Sequence, residues 1–407
     1  MPTATARTAG PSPRLRIRIS PDAATAHRTR SLGEGCAIQG LVNTRQLFLI
    51  IVLTRIAVMA DGLPVVTVGS ALQDAWLGAL LATAASAALA ALAATLAMRF
   101  PGKSLGVFAR ETLGRWLGLG VSLAVALVYF LLTLFELYQL TTLTKGTILP
   151  RTPAWVFTLS VLSVAVYGAY LGADAMGRAA EVLITIVFGA VVVGVCVLVA
   201  APLPQSYSSL SPVLERGVWP VAEAAIIPAL WFLVSGGTVL GLGKFTRPTQ
   251  KLRGAVVGAV LASGMLLTLF AVISTLILGP SEARDQLAPM LSVARAINLP
   301  GILERSDLLL IVIWLLGAVF ETTIFLLVAA IVSADALGLN VTQVVPILGA
   351  AAALVVVLYT PTVFDLRRAA QPTPTGLGGL FALGGVVALM LVVTALRGAG
   401  RRGRGGP

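Results

Sequence analysis

Windows of about 20 mostly apolar residues, each long enough to cross a hydrocarbon core of about 30 Å, recur through most of this 407-residue chain. They run approximately over residues 46–70, 75–98, 116–140, 154–171, 179–201, 221–243, 254–279, 307–334, 343–360 and 376–396. A chain patterned in this way is expected to be all-α: a polytopic membrane protein of about ten transmembrane helices. The eighth and ninth windows are divided mainly by residues 334–342, so nine and eleven are the neighbouring counts. With 57% hydrophobic and only 11% charged residues, the chain would precipitate if these runs were left in water.

Cytoplasmic loops retain Lys and Arg, and that bias orients the helices. Seven arginines stand in the N-terminal tail, from Arg7 to Arg45. Arg99, Lys103, Arg110 and Arg115 follow the second window, and Lys244, Arg247, Lys251 and Arg253 follow the sixth. Arg397, Arg401, Arg402 and Arg404 close the chain, so the even-numbered connections are the basic ones and both termini are expected in the cytoplasm. The formal net charge of +12 follows from this asymmetry. It does not point to nucleic acid; basic tails of this kind meet anionic lipid heads instead. Residues 1–44 lack a continuous apolar core and read as a disordered basic cytoplasmic tail, not a secretory signal. Residues 45–397 form the transmembrane domain, and 398–407 a second basic tail.

Little conventional site chemistry is present. Cys36 and Cys196 are placed too differently to suggest a disulfide, and the single histidine, His27, lies in the tail. This leaves no metal cluster, no Ser/His/Asp arrangement, and no glycine loop of the phosphate-binding type, so neither a cofactor nor an enzyme is expected.

The remaining chemistry is intramembrane. Arg55 stands within the first window, Glu136 toward the outer end of the third, Glu223 near the outer start of the sixth, and Glu321 near the middle of the eighth. A charge at such depth costs roughly 2.5 kcal/mol or more on insertion scales unless it is paired or hydrated. Arg55 and Glu321 are expected to face each other as a buried pair that either locks the fold or gates a cavity, with Glu136 nearby. Arg178 and Glu181, spaced i to i+3, suggest a local surface pair. Past Arg55 the apolar run breaks at Asp61, Gly62 and Pro64, and the sixth window holds Pro228 and then Ser235, Gly236, Gly237 and Thr238. Two interrupted segments five spans apart fit two inverted five-helix halves with broken first and sixth helices, whose free backbone groups create a central binding site. The expected ligand positions are Ala57, Ala60, Asp61, Gly62, Ser235, Gly236, Gly237 and Thr238. Helix N-termini there suit a carboxylate and exposed carbonyls an ammonium, so a small amino-acid-like zwitterion is the natural ligand.

Specific strings add to this pattern. They include 44–48 (Thr-Arg-Gln-Leu-Phe), 73–77 (Gln-Asp-Ala-Trp-Leu), 99–105 (Arg-Phe-Pro-Gly-Lys-Ser-Leu) and 113–118 (Leu-Gly-Arg-Trp-Leu-Gly). Further along come 149–153, 172–178 with Ala180 and Glu181, 210–214 (Leu-Ser-Pro-Val-Leu), and 304–307 followed by Trp314. In order and spacing, over about residues 44–337, the chain resembles the spore germination receptor B subunit family of the amino-acid/polyamine/organocation transporter superfamily. The resemblance implies a ten-span subunit that senses a nutrient germinant, often an amino acid. It also implies partnership with a larger membrane A subunit and a lipoprotein C subunit in the spore inner membrane, or in a bacterial cell membrane. Ser235-Gly236-Gly237 stands where many relatives carry a Gly-Glu type pair. The same fold also permits a stand-alone symporter that moves an amino acid with a cation, with Glu136 or Glu321 as the titrating group. Several family strings have local physical roles: Pro101-Gly102 suits a turn, residues 104–115 an amphipathic interfacial helix, and Trp76, Trp116, Trp155 and Trp219 interfacial anchors.

Overall fold

A computed structural model describes residues 41–358 except Asp61, 148–149, 201–206, 247–249, 287 and 297–305, together with residues 385 and 393. The N-terminal tail, the tenth window and the C-terminal tail lie outside the described residues. The helices are α1 (Thr44–Ala60), α2 (Gly62–Ala71), α3 (Ala75–Arg99), α4 (Leu105–Leu113), α5 (Arg115–Thr147), α6 (Ala154–Leu171) and α7 (Ala173–Ala200). They continue as α8 (Val218–Gly241), α9 (Leu252–Leu278), α10 (Pro280–Asp285), α11 (Pro289–Ala296), α12 (Ser306–Leu337) and α13 (Val341–Leu358). Eight helical segments among the described residues are long and apolar enough to cross a membrane. They correspond to the second through ninth windows, and α1 with α2 occupies the first.

Pairing of the helices carries an approximate repeat. The second span packs on the sixth (α3 on α8) as the seventh packs on the first (α9 on α1). Second meets seventh, third meets eighth, fourth meets ninth and first meets sixth, each the pairing that a twofold relation between halves requires. The connection between second and third spans carries the short helix α4, and the one between seventh and eighth carries α10 and α11. Small residues allow the closest approaches, as membrane helices without a hydrophobic drive between them need. A Cβ on Gly264 of α9 would sit 2.1 Å from Thr83 Oγ1 of α3.

Some pairings among the described residues depart from the relation. The first span packs along the eighth, but the sixth scarcely approaches the third, and aromatic side chains fill the interval between α5 and α8. Burial follows the same plan: 83% of the apolar stretch of α8 is inside the protein, against 28% for α6 and α7, which lie at its periphery.

Each end of the bundle is tied. On the face that bears the basic connections, Asp335 near the end of α12 accepts from Lys244 Nζ at 2.7 Å and from Ser104 Oγ, while its backbone carbonyl accepts from Arg110 Nη2 at 2.6 Å. Val42 N–H donates to Phe245 O at 2.7 Å, so the chain entering α1 lies along the segment leaving α8. Here α4 is not a surface helix alone. Leu105, Phe108 and Ala109 are buried, and the helix packs on α12. At the opposite face, Asp74 accepts the Leu214 N–H at 3.0 and 3.1 Å, and Gln73 Nε2 donates to Glu215 Oε2 at 3.1 Å. Two of the strings that carry the resemblance, 73–77 and 210–214, thus meet. Arg178 pairs with Asp174, one turn back, and not with Glu181, because α7 begins at Ala173 and includes Asp174 in its first turn.

Candidate functional site

Arg55 is fully buried and sits five residues before the end of α1. Its Nη2 lies 3.1 Å from Glu321 Oε1 of α12, itself fully buried, and its Nη1 donates to the Trp231 carbonyl of α8 at 2.9 Å. The guanidinium also stands 5.8 Å from the ring centroid of Phe325, one turn from Glu321. One side chain therefore ties the first, sixth and eighth spans at a single depth. Glu136, buried on α5, lies within its electrostatic reach.

The α5 side is aromatic. Tyr129 donates to the Val234 carbonyl at 2.6 Å and lies 3.2 Å from Thr238 Oγ1. Its ring meets Phe325 edge-on at 5.9 Å, and Phe135 meets Trp231 at 5.6 Å. Arg55 and Tyr129 thereby engage carbonyls three residues apart, Trp231 and Val234, along one face of α8.

Each expected site residue can now be placed. Ser235, Gly236, Gly237 and Thr238 are all buried within α8. They are not unwound: α8 runs as one α-helix from Val218 to Gly241 through Pro228, and this corrects the expected break in the sixth span. Glycine permits unusual dihedrals, but it also permits close approach, and here it is the second property that is used. A Cβ on Gly237 would fall 2.5 Å from Tyr129 Oη, and one on Gly236 would fall 3.1 Å from Ala93 Cβ. Pro228 costs one helical donor without ending the helix, because neighbouring spans hold the segment. Ala57 and Ala60 belong to the last turn of α1 and Gly62 opens α2, while Asp61, where the first-span break was expected, lies outside the described residues. Glu223 is exposed and apart from this cluster. Among the described residues no group of His, Cys, Asp or Glu is arranged to hold a metal ion.

Sequence reasoning missed Tyr129, Phe135, Trp231 and Phe325. The available signal was registration: Tyr129 precedes Glu136 by seven residues, and Trp231 precedes Ser235 by four and Thr238 by seven, so each set shares a helix face. A separate apolar groove of about 520 Å³ lies between α6 and α13, lined by Tyr167, Tyr170 and Gly349 among others.

A buried polar junction of first, third, sixth and eighth spans, inside two repeat-related halves, defines a multi-pass membrane protein of the transporter fold. Mhp1, a nucleobase-cation-symport-1 family transporter solved in a closed conformation with bromovinylhydantoin bound, superposes with a TM-score of 0.58 at 14% identity, covering 86% of this chain and 77% of that one. MhsT in complex with L-phenylalanine gives 0.56 at 14% identity, over 86% and 98% of the two chains. Residues 41–364 match the family model described as Spore germination protein, and the chain belongs to that family. Among its relatives, spore germination protein YndE of Bacillus subtilis (strain 168) is 25% identical over 71% of this chain and 79% of its own length. Spore germination protein KB of the same organism is 22% identical over 70% and 76%.

Proposed function

We propose that this chain is the membrane subunit of a nutrient germinant receptor that binds a small amino-acid-like germinant at the Arg55 junction and triggers germination through partner subunits. The observation that carries this reading is the contact set of Arg55. A buried charge that donates to both the sixth span's backbone and the eighth span's carboxylate makes the relative positions of three spans sensitive to whatever enters between them. A ligand that binds one arrangement better than another shifts their equilibrium. The ligand is expected to reach the stretch from Ala57 to Gly62 and the face from Ser235 to Thr238, since α2 packs on α8. The partners are a membrane A subunit and a lipoprotein C subunit, in keeping with relatives named as germination proteins. The chain senses and does not catalyse. In this reading both termini are cytoplasmic, the membrane is the spore inner membrane, and the basic tails, 1–44 and 398–407, lie against anionic lipid.

The fold shared with a cation-symport family transporter favours one second reading, in which the chain alone carries an amino acid with a cation and Glu136 or Glu321 titrates. Uptake into proteoliposomes separates the two. The receptor reading predicts ligand binding with no net uptake by the chain alone, and co-purification with A and C subunits from native membranes. Concentrative uptake by the isolated chain would overturn it.

A further inference from the structure

Three buried polar donors on α1 and α8, at the contact of Arg55 with Trp231 and one turn beyond it, have no protein partner: Arg55 Nε, Trp231 Nε1 and Ser235 Oγ. Their residues are 0%, 7% and 1% exposed. Arg55 is bonded to the backbone of Trp231, and Ser235 follows Trp231 by four residues on the same face of α8. An unmade hydrogen bond of this kind is destabilising. Three together, all able to donate, describe a place shaped for an acceptor-rich group.

Backbone donors are not available for that task in the sixth span. Because α8 is continuous from Val218 to Gly241, its N–H groups from the second turn onward are committed within the helix, Pro228 having none. A carboxylate bound against the middle of α8 has to be read by that helix's side chains. The surrounding charge narrows the ligand further. Arg55 is the one buried cation among the described residues, and Glu136 and Glu321 are two buried carboxylates on α5 and α12. A bare anion meets a net negative surround, whereas a zwitterion can turn its ammonium toward those carboxylates and its own carboxylate toward α8.

We propose that the site recognises the α-carboxylate of a zwitterionic amino acid through Trp231 Nε1 and Ser235 Oγ, with Arg55 Nε as the third donor, in place of backbone donors from a broken sixth span. This rests on the ligand site lying at the Arg55 junction. Trp231 is then a specificity-determining residue, held by Phe135 at 5.6 Å.

The test uses the purified full chain in nanodiscs, titrated with each proteinogenic L-amino acid and with the carboxamide of any that stabilises it, read by thermal shift. The expected result is stabilisation by at least one amino acid and not by its carboxamide. Trp231→Phe, which keeps the ring against Phe135, and Ser235→Ala should each weaken apparent affinity about tenfold, the worth of one buried hydrogen bond. Equal stabilisation by acid and carboxamide, or wild-type affinity in the Trp231→Phe/Ser235→Ala double variant, overturns the carboxylate assignment and leaves ligand binding itself standing. Stabilisation by none of the amino acids overturns both.

Discussion

Arg55 dominates at the residue scale because an unpaired guanidinium at membrane depth is among the costliest groups a helix can carry. Its pairing with Glu321 makes the two residues one energetic unit. Removing either partner strands the other charge, at a cost of about 3 kcal/mol or more, while removing both strands neither. Arg55→Ala and Glu321→Ala are each expected to lower thermal stability in detergent strongly, and the double variant less than their sum. Additive losses would show that the pair is not coupled. Gly237→Ala should cost about 1–3 kcal/mol by overpacking against Tyr129, with part of that loss recovered in a Tyr129→Phe background, where the hydroxyl at 2.5 Å is gone. Full loss in both backgrounds would place the strain elsewhere. Arg55 and Glu321 were legible in the sequence because a charge inside an apolar run is conspicuous. Trp231 and Tyr129 were not, since aromatic residues are ordinary in membrane helices and only their contacts across the interval between α5 and α8 reveal which of them face inward.

At the scale of the element, α8 is the instructive case. Pro228 and Ser235-Gly236-Gly237-Thr238 carry every local sign of an unwound segment, and the helix persists. A local signal cannot report that Tyr129 and Ala93 stand opposite those glycines and need the space. Hydrogen exchange should therefore find the amides of 232–241 as protected as those of α12, with rapid exchange confined to residues beyond the helix ends. Fast exchange at 235–238 would restore the broken-helix reading. The Asp335 cluster fastens α12 to α4 and to the end of α8, which makes it the tie that has to loosen if the basic face is to open. With Cys36 and Cys196 replaced by Ser, a Ser333→Cys probe on the same end of α12 should react slowly with an impermeant maleimide and about tenfold faster once Asp335→Asn is added, a shift of about 1.4 kcal/mol in the opening equilibrium. An unchanged rate would make the cluster ornamental to that motion.

For the whole molecule, the all-α class and the second through ninth spans were readable from apolar runs alone, because lipid leaves the backbone few alternatives. The repeat was suggested by two interrupted windows and is borne by pairings that no single window contains, such as α3 on α8 matching α9 on α1. One departure from it, the sparse backbone approach of α5 to α8, coincides with the aromatic and polar junction. A site placed where symmetry fails is one that ligand can complete. The most direct measurement is a cryo-EM map of the assembled receptor saturated with a stabilising amino acid. Density for that ligand between α1, α5, α8 and α12, within hydrogen-bonding distance of Trp231 and Ser235, is the predicted result. Ligand density elsewhere, as in the groove beside Tyr167 and Tyr170, with the junction closed as it is here, would contradict it.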